Sequence, residues 1–158
     1  MIRQSLLASM LVLGLAAPAA LADPAHHHHA ADKTYGQPGD PKKPARVVTI
    51  AMREADGRMV FTPDRIVVGK GEQLRLRLRN DGEIEQELVL ATVEENLAHM
   101  KAMEAAPDMA HDEPNARRLK PKATAEIVWQ FTNAGEFDYS CLIPGHRQSG
   151  MSGTVVVR

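Results

Sequence analysis

The stretch AGEFDYSCLIPGHRQSGMSGTVVVR at residues 134–158 holds two short segments typical of strands on either side of a polar loop. Residues 137–141 and 154–157 are rich in aromatic or β-branched side chains, which favour strands. The Pro-Gly pair between them predicts a turn. The loop carries three soft side chains with four intervening residues each time: Cys141, His146 and Met151. A loop that leaves a strand can fold these three side chains onto one point.

Upstream, segments that resemble strands recur at short intervals. In LRLRLR at residues 74–79, leucine alternates with arginine, as expected of a strand with one buried and one solvated face. Further strands are expected at residues 46–52, 59–61, 66–68, 87–91 and 127–131. Short strands separated by turns that contain glycine predict an all-β antiparallel sandwich or barrel.

One segment, at residues 94–106, lacks β-branched residues and predicts a helical insert that ends before Pro107. Leu97, Met100 and Met103 lie three residues apart, so we expect them to share one face of this helix. Pro114 and Pro121 predict an irregular connection after it.

The N-terminal region predicts export. Arg3, an apolar run and an Ala-Leu-Ala site at residues 20–22 form the pattern of a cleaved signal peptide over residues 1–22. The apolar run is too short to span a membrane, and we expect no other span in the mature chain. Residues 23–45, which include His26, His27, His28 and His29, are expected to form a flexible tether, and residues 46–158 one domain. We therefore expect a periplasmic protein.

Composition excludes several classes of protein. The chain of 158 residues has 19 Lys+Arg against 20 Asp+Glu and a net charge of −1, which argues against a nucleic-acid partner. Apolar residues make up 44%, enough to build a core, and one cysteine excludes an internal disulfide. We expect the protein to be a monomer. We do not expect an enzyme, because no nucleophile–base set is visible in the sequence.

Cysteine, histidine and methionine in one loop indicate copper. Thiolate, imidazole and thioether ligands together select this metal, whereas Mg²⁺ and Ca²⁺ prefer oxygen and Zn²⁺ rarely takes methionine. A proline in the loop removes one N–H that could otherwise donate to the cysteine sulfur. The alternative is a buried thiol beside an exposed histidine and methionine.

These residues give the chain a resemblance to the cupredoxin family over nearly the whole expected domain. The segments 59–71, 134–141 and 153–157 resemble the family's early strands, the strand into the copper loop and the closing strand. The loop spacing is similar to that of rusticyanin-like members, and the helical insert is similar to that of periplasmic cupredoxins associated with copper resistance. The resemblance implies a Greek-key β-sandwich and a type 1 copper site formed by two histidines, one cysteine and an axial methionine.

One position departs from the family. The resemblance places the first histidine ligand in the segment EIEQELVL at residues 83–90, but Gln86 stands at that position. Four interpretations remain open. An oxygen of Gln86, Glu85 or Glu87 could be a ligand, or another histidine could replace it. The loop alone could hold Cu(I), or the site could be degenerate.

A secondary metal site is a further hypothesis. Its candidate ligands are the histidines of the tether and soft side chains of the insert: His26, His27, His28, His29, His99, Met103, Met109 and His111. A flexible histidine cluster can bind copper without a fold. Methionines at helical spacing are more often packing residues, which is the alternative for the insert.

Three functions are therefore considered. The first is copper handling and tolerance in the periplasm, with a copper exporter or a redox protein as partner. The second is one-electron transfer by a blue-copper-type site. The third is an interaction module that binds no metal. Fold resemblance alone does not decide among them.

Overall fold

The computed structural model of the protein describes residues 33–105 and 113–158, and all structural statements below concern these two ranges. Within them the chain forms ten strands and one helix. The elements are β1 (Gln37–Pro38), β2 (Arg46–Ala55), β3 (Arg58–Thr62), β4 (Arg65–Val68), β5 (Gln73–Asn80), β6 (Gln86–Ala91), α1 (Val93–Ala105), β7 (Ala116–Leu119), β8 (Thr124–Gln130), β9 (Gly135–Ser140) and β10 (Ser152–Val157).

The strands form two five-stranded sheets. One has the order β1-β8-β5-β2-β3 and the other the order β4-β10-β9-β6-β7. Pairing is antiparallel except for β2 with β5 and β4 with β10, which are parallel. Buried apolar side chains from both sheets form one core between them, with Leu76 and Ile127 from the first sheet and Leu88 and Val155 from the second. The predicted β-sandwich is confirmed.

Strand β5 shows why the alternating sequence folds this way. Its three leucines are buried, while Arg77 and Arg79 are exposed. Arg75 pairs with Glu126 on the neighbouring β8, and Arg79 donates to Asp81 at 2.6 Å. The arginines therefore form the solvated face of a strand, as the alternation predicted.

The segment before β2 differs from the expected tether. Tyr35 is 1% exposed and its ring stacks on Trp129 with 5.5 Å between centroids. The indole N–H of Trp129 donates to the Tyr35 carbonyl at 2.9 Å, and β1 pairs with β8. Residues 33–45 therefore belong to the folded domain, because Tyr35 covers the end of its core. Residues 1–32, with the expected signal peptide and the histidine run, lie outside the described ranges.

Helix α1 begins where the sequence expectation placed it, within one residue. Thr92 caps it: the Glu95 N–H donates to Thr92 Oγ1 at 3.1 Å, and the Thr92 N–H donates to Glu95 Oε2 at 3.0 Å. Of the three apolar residues expected to share one face, Met103 is buried and Leu97 is 44% exposed, and the polar Asn96 is buried as well. In the described part of the chain, no helix has the length and apolar character needed to cross a membrane.

Strand β7 was not predicted. It lies within the segment expected to be irregular and pairs with β6, so that Gln86 stands opposite Leu119 and Glu87 opposite Arg118. Its sequence ARRL has no clear alternation of polar and apolar residues. The segment is extended because it pairs with β6, and not because its own sequence favours a strand. Strand β7 is the edge strand of its sheet and flanks β6, which carries Gln86.

Candidate metal centre

The loop at residues 141–151 joins β9 to β10 and closes on itself through backbone hydrogen bonds. The Cys141 N–H donates to the Met151 carbonyl at 3.1 Å, and the Met151 N–H donates to the His146 carbonyl at 3.1 Å. Gly145 has a φ of 88°, a conformation that glycine adopts without strain. These contacts hold the cysteine, the histidine and the methionine on one small turn of chain.

The side chains of Cys141, His146 and Gln86 converge. His146 Nδ1 lies 3.3 Å from Cys141 Sγ and 3.1 Å from Gln86 Oε1. Gln86 Oε1 lies 3.8 Å from Cys141 Sγ. A sulfur, an imidazole nitrogen and an amide oxygen therefore lie within 4 Å of one another. The sulfur and the nitrogen come from the loop, and the oxygen comes from β6, which pairs with β9.

Met151 completes the set of residues that the loop spacing singled out. Its side chain is fully buried and belongs to the same apolar cluster as Cys141. The structure thus brings the side chains of Cys141, His146 and Gln86 together, and backbone hydrogen bonds place Met151 next to Cys141 and His146 in the chain's fold.

The Cys141 thiol is deeply buried, and this controls its protonation. Burial raises its pKa to about 12, although the backbone N–H groups of Ile143 and Glu87 act in the opposite direction. The Glu87 N–H donates to the sulfur at 3.3 Å. Pro144, next in the loop, has no N–H to add. The thiol without a cation beside it is therefore protonated at neutral pH, and its deprotonation requires a positive charge.

His146 is in the form that a metal needs. Its side chain is nearly buried, and burial lowers its pKa below the ordinary 6.5 because the imidazolium is poorly solvated there. The imidazole is therefore neutral at pH 7, with a nitrogen lone pair available to a metal ion.

The two acidic neighbours of Gln86 are oriented differently. Glu85 accepts from Arg118 Nε at 2.9 Å. The side chain of Glu87 leaves β6 on the face opposite to that of Gln86, because successive residues of a strand alternate. Burial raises the pKa of the Glu87 carboxyl, and the charges of Arg118 and His99 oppose that rise. The amide oxygen of Gln86 is thus the one of these three donors that the structure brings to Cys141 and His146.

The other metal-ligating candidates are not brought to this point. Met103 is fully buried against Val89, Ala116 and Leu142, which is the packing role considered for it. His99 lies on α1 beside the charge of Glu87. Met109, His111 and the histidines 26–29 lie outside the described ranges. Over residues 33–105 and 113–158, no group of three His, Cys, Asp or Glu side chains is arranged to hold a metal ion. A site built from Cys, His, Gln and Met has only two such members.

Sequence reasoning missed two groups that support this region. Gln86 Nε2 donates to Glu54 Oε1 at 2.9 Å. Asp138 Oδ2 accepts from Ser140 Oγ at 2.6 Å, from Asn96 Nδ2 at 2.7 Å and from Arg147 at 2.8 Å. These contacts join residues that are far apart in the chain, and no local pattern signals them.

The donor set fits copper. A thiolate, an imidazole and a thioether are the ligands that select this metal over harder cations. The site is enclosed by apolar side chains, which keep water from the sulfur. An amide oxygen is a harder ligand than the second imidazole of a type 1 site, so the set departs from that pattern at one position.

Two curated proteins are similar to this chain over almost its full length. A "Copper-resistant cuproprotein CopI" from Rubrivivax gelatinosus is 45% identical over 160 residues, which cover 96% of this chain and 95% of that protein. A protein of the same name from Pseudomonas aeruginosa is 31% identical over 186 residues, covering 99% and 98%.

The fold has a solved counterpart in auracyanin B. The two structures superpose with a TM-score of 0.63 at 23% identity, over 78% of this chain and 96% of auracyanin B. This likeness concerns the fold and extends across nearly the whole of the other chain.

The family model of copper-binding proteins of the plastocyanin/azurin type matches residues 48–158. The match covers nearly all of β2 and every later element, and it ends beyond the loop that carries Cys141, His146 and Met151. Together with the similarity to the two cuproproteins, it shows that copper is the cofactor of this fold. The chain therefore belongs to the plastocyanin/azurin family of copper-binding proteins.

Proposed function

We propose that this protein handles copper as part of copper tolerance and binds it through Cys141, His146 and Met151, with the amide oxygen of Gln86 as a further ligand. The observation that carries this proposal is the convergence of Gln86 Oε1, His146 Nδ1 and Cys141 Sγ within 4 Å. The protein would store the ion at this site, or the bound ion would supply a one-electron couple.

The missing second imidazole favours handling over electron transfer. Trigonal ligation by two histidines and a cysteine characterises the blue-copper electron carriers. Here one of these positions holds an amide, and the curated relatives are named for copper resistance. The remaining thiolate, imidazole and thioether suit Cu(I), which accepts three soft ligands.

Electron transfer is the second candidate function. It is favoured by the buried sulfur, which accepts the Glu87 N–H at 3.3 Å, because hydrogen bonds to the cysteine tune the potential of such sites. This function predicts an intense thiolate-to-Cu(II) absorption and a reversible couple in voltammetry. A colourless Cu(II) form, or irreversible reduction by the protein's own thiol, would argue against it.

We further propose that the protein is exported. Residues 1–22 would direct the chain to the periplasm and be removed, and the partner there would be a copper exporter or a redox protein. Mass spectrometry of the protein isolated from periplasm should show Asp23 as its first residue. A chain that retains residues 1–22 in that fraction would contradict this part.

Titration of Cu(I) and Cu(II) into the wild-type protein and the Cys141→Ala variant tests the site. The variant should lose the high-affinity site for Cu(I), and His146→Ala should weaken it strongly. His99→Ala is the matched control, because His99 lies on α1 and should leave the high-affinity site intact. Equal binding by wild type and Cys141→Ala would overturn the proposal.

A further inference from the structure

The carboxylate of Glu54, on β2, is held by the chain segment that leads to Gln86. Glu54 Oε2 accepts the Glu83 N–H at 3.0 Å, and Glu54 Oε1 accepts from Gln86 Nε2 at 2.9 Å. A Cβ added at Gly82 would lie 2.5 Å from Glu54 Oε2, so the carboxylate packs directly against the backbone of this segment. The carboxylate is therefore held in position by at least two donors, the Glu83 N–H and the Gln86 amide.

The two ends of the Gln86 amide are chemically different, and Glu54 distinguishes them. An ionised carboxylate only accepts hydrogen bonds, whereas an amide donates from nitrogen and accepts at oxygen. With Nε2 directed to Glu54, Oε1 is directed to His146 Nδ1 at 3.1 Å and to Cys141 Sγ at 3.8 Å. The opposite orientation would place two oxygens against each other and an NH₂ group against the metal-binding atoms.

We propose that Glu54 is a positioning residue that fixes the amide of Gln86 so that its oxygen, and not its nitrogen, faces the metal-binding atoms. The proposal rests on the copper site proposed above and deepens it. A neutral amide nitrogen has no lone pair to offer a metal, so the orientation of this one group decides whether β6 supplies a ligand. Partners outside the ligand set commonly have this effect in metal sites.

The substitution Glu54→Gln tests the orientation because it changes one acceptor into a donor with little change of shape. The Glu83 N–H requires that the oxygen of the new side chain stay at the former Oε2 position. The new NH₂ group then faces Gln86, which must present its own oxygen to it. The Gln86 nitrogen is thereby turned toward His146 and Cys141.

We expect Glu54→Gln to weaken Cu(II) binding by about 10- to 100-fold in competition titrations with copper salt, as substitutions of such partners do. The double variant Glu54→Gln/Gln86→Glu should recover the affinity. In it the amide at position 54 donates to one carboxylate oxygen at position 86, and the other oxygen faces the metal. Such a recovery by a second substitution would not follow from a merely structural role of Glu54.

Glu136→Gln is the matched control. It removes the same charge from an exposed glutamate that pairs with Arg65 at the far end of β9, and it should leave copper affinity unchanged. An unchanged affinity in Glu54→Gln, an equal loss in Glu136→Gln, or a double variant that stays weak would each overturn the proposal. Equal copper binding by wild type and Cys141→Ala would instead overturn the copper site itself, so the two failures are distinguishable.

Discussion

In the proposed site, a proton and a copper ion compete for the sulfur of Cys141. Burial raises the pKa of the thiol to about 12, so the sulfur is protonated at neutral pH. A metal ion that binds the thiolate must therefore displace this proton. Burial has the opposite effect on His146, whose pKa is lowered, so that its imidazole is already neutral at pH 7. One ligand therefore releases a proton on binding and the other does not.

This difference predicts the pH dependence of copper binding. Between pH 7 and 9 the apparent Cu(I) affinity should rise about tenfold per pH unit, because one proton leaves Cys141 for each ion bound. A competition assay with a chelator of known protonation measures this slope. In Cys141→Ala the remaining weak binding should show no such slope. A flat profile in the wild-type protein would mean that Cys141 does not bind the ion as a thiolate.

Residues with a fixed spacing along the chain were predictable, and residues joined through space were not. The loop spacing singled out Cys141, His146 and Met151, and the resemblance singled out the position of Gln86; the structure brings the side chains of Cys141, His146 and Gln86 together and buries Met151 in the apolar cluster that holds Cys141. Glu54 lies 32 residues before Gln86, and nothing in its neighbourhood marks it. The contact exists because β5 runs parallel to β2, so the chain after β5 continues alongside β2 and its Glu83 N–H donates to Glu54.

At the scale of elements, one buried carboxylate joins the loop at residues 141–151 to helix α1. Asp138, on β9, accepts from Asn96 of α1 and from Arg147 of the loop, at 2.7 and 2.8 Å. Asp138 and Arg147 are both largely buried. The helix therefore contributes to the region next to His146, although it supplies none of the three side chains that converge there.

We expect Asp138→Ala to lower the free energy of unfolding by about 3 kcal/mol, because it leaves the buried Arg147 charge without its partner. Urea denaturation of the metal-free protein measures the loss. Glu136→Ala, on the same strand, is the control: its pair with Arg65 is more than half exposed and should contribute about 0–1 kcal/mol. Equal effects of the two substitutions would contradict the role given to Asp138.

The elements show which signals in the sequence are reliable. Leucine alternation in β5 predicted both the strand and its buried face, because a period of two leaves one orientation open. The apolar spacing in α1 does not show which residues are buried, since the polar Asn96 donates to Asp138 and is buried while Leu97 is exposed to solvent. Strand β7 was not predicted because its extended conformation depends on pairing with β6, which the local sequence does not reveal.

At the scale of the whole molecule, the domain begins earlier than composition suggests. Proline and glycine around residue 40 predicted a tether, but Tyr35 stacks on Trp129 and its hydroxyl accepts from Asn115 Nδ2 at 3.2 Å. A single aromatic residue in a polar segment carries too little periodicity to be recognised as core. Its role becomes evident only once β8 provides the surface on which it packs.

Two shortened chains test this boundary. A chain that begins at residue 46 should be less stable by about 3–5 kcal/mol than one that begins at residue 33, which is the loss expected for removing a buried aromatic side chain. Thermal and urea unfolding measure the difference. Tyr35→Ala should reproduce most of it, and Tyr35→Phe should cost only about 1 kcal/mol, since it removes one hydrogen bond. Equal stability of the two chains would show that residues 33–45 are dispensable.

The central claim is that copper lies between the loop and β6, with Gln86 as a ligand. A crystal structure of the protein loaded with copper, with anomalous data at the copper absorption edge, tests it most directly. The account predicts one strong anomalous peak within bonding distance of Cys141 Sγ, His146 Nδ1 and Gln86 Oε1. A peak elsewhere, or one bound by Cys141 and His146 with the Gln86 oxygen turned away, would contradict it.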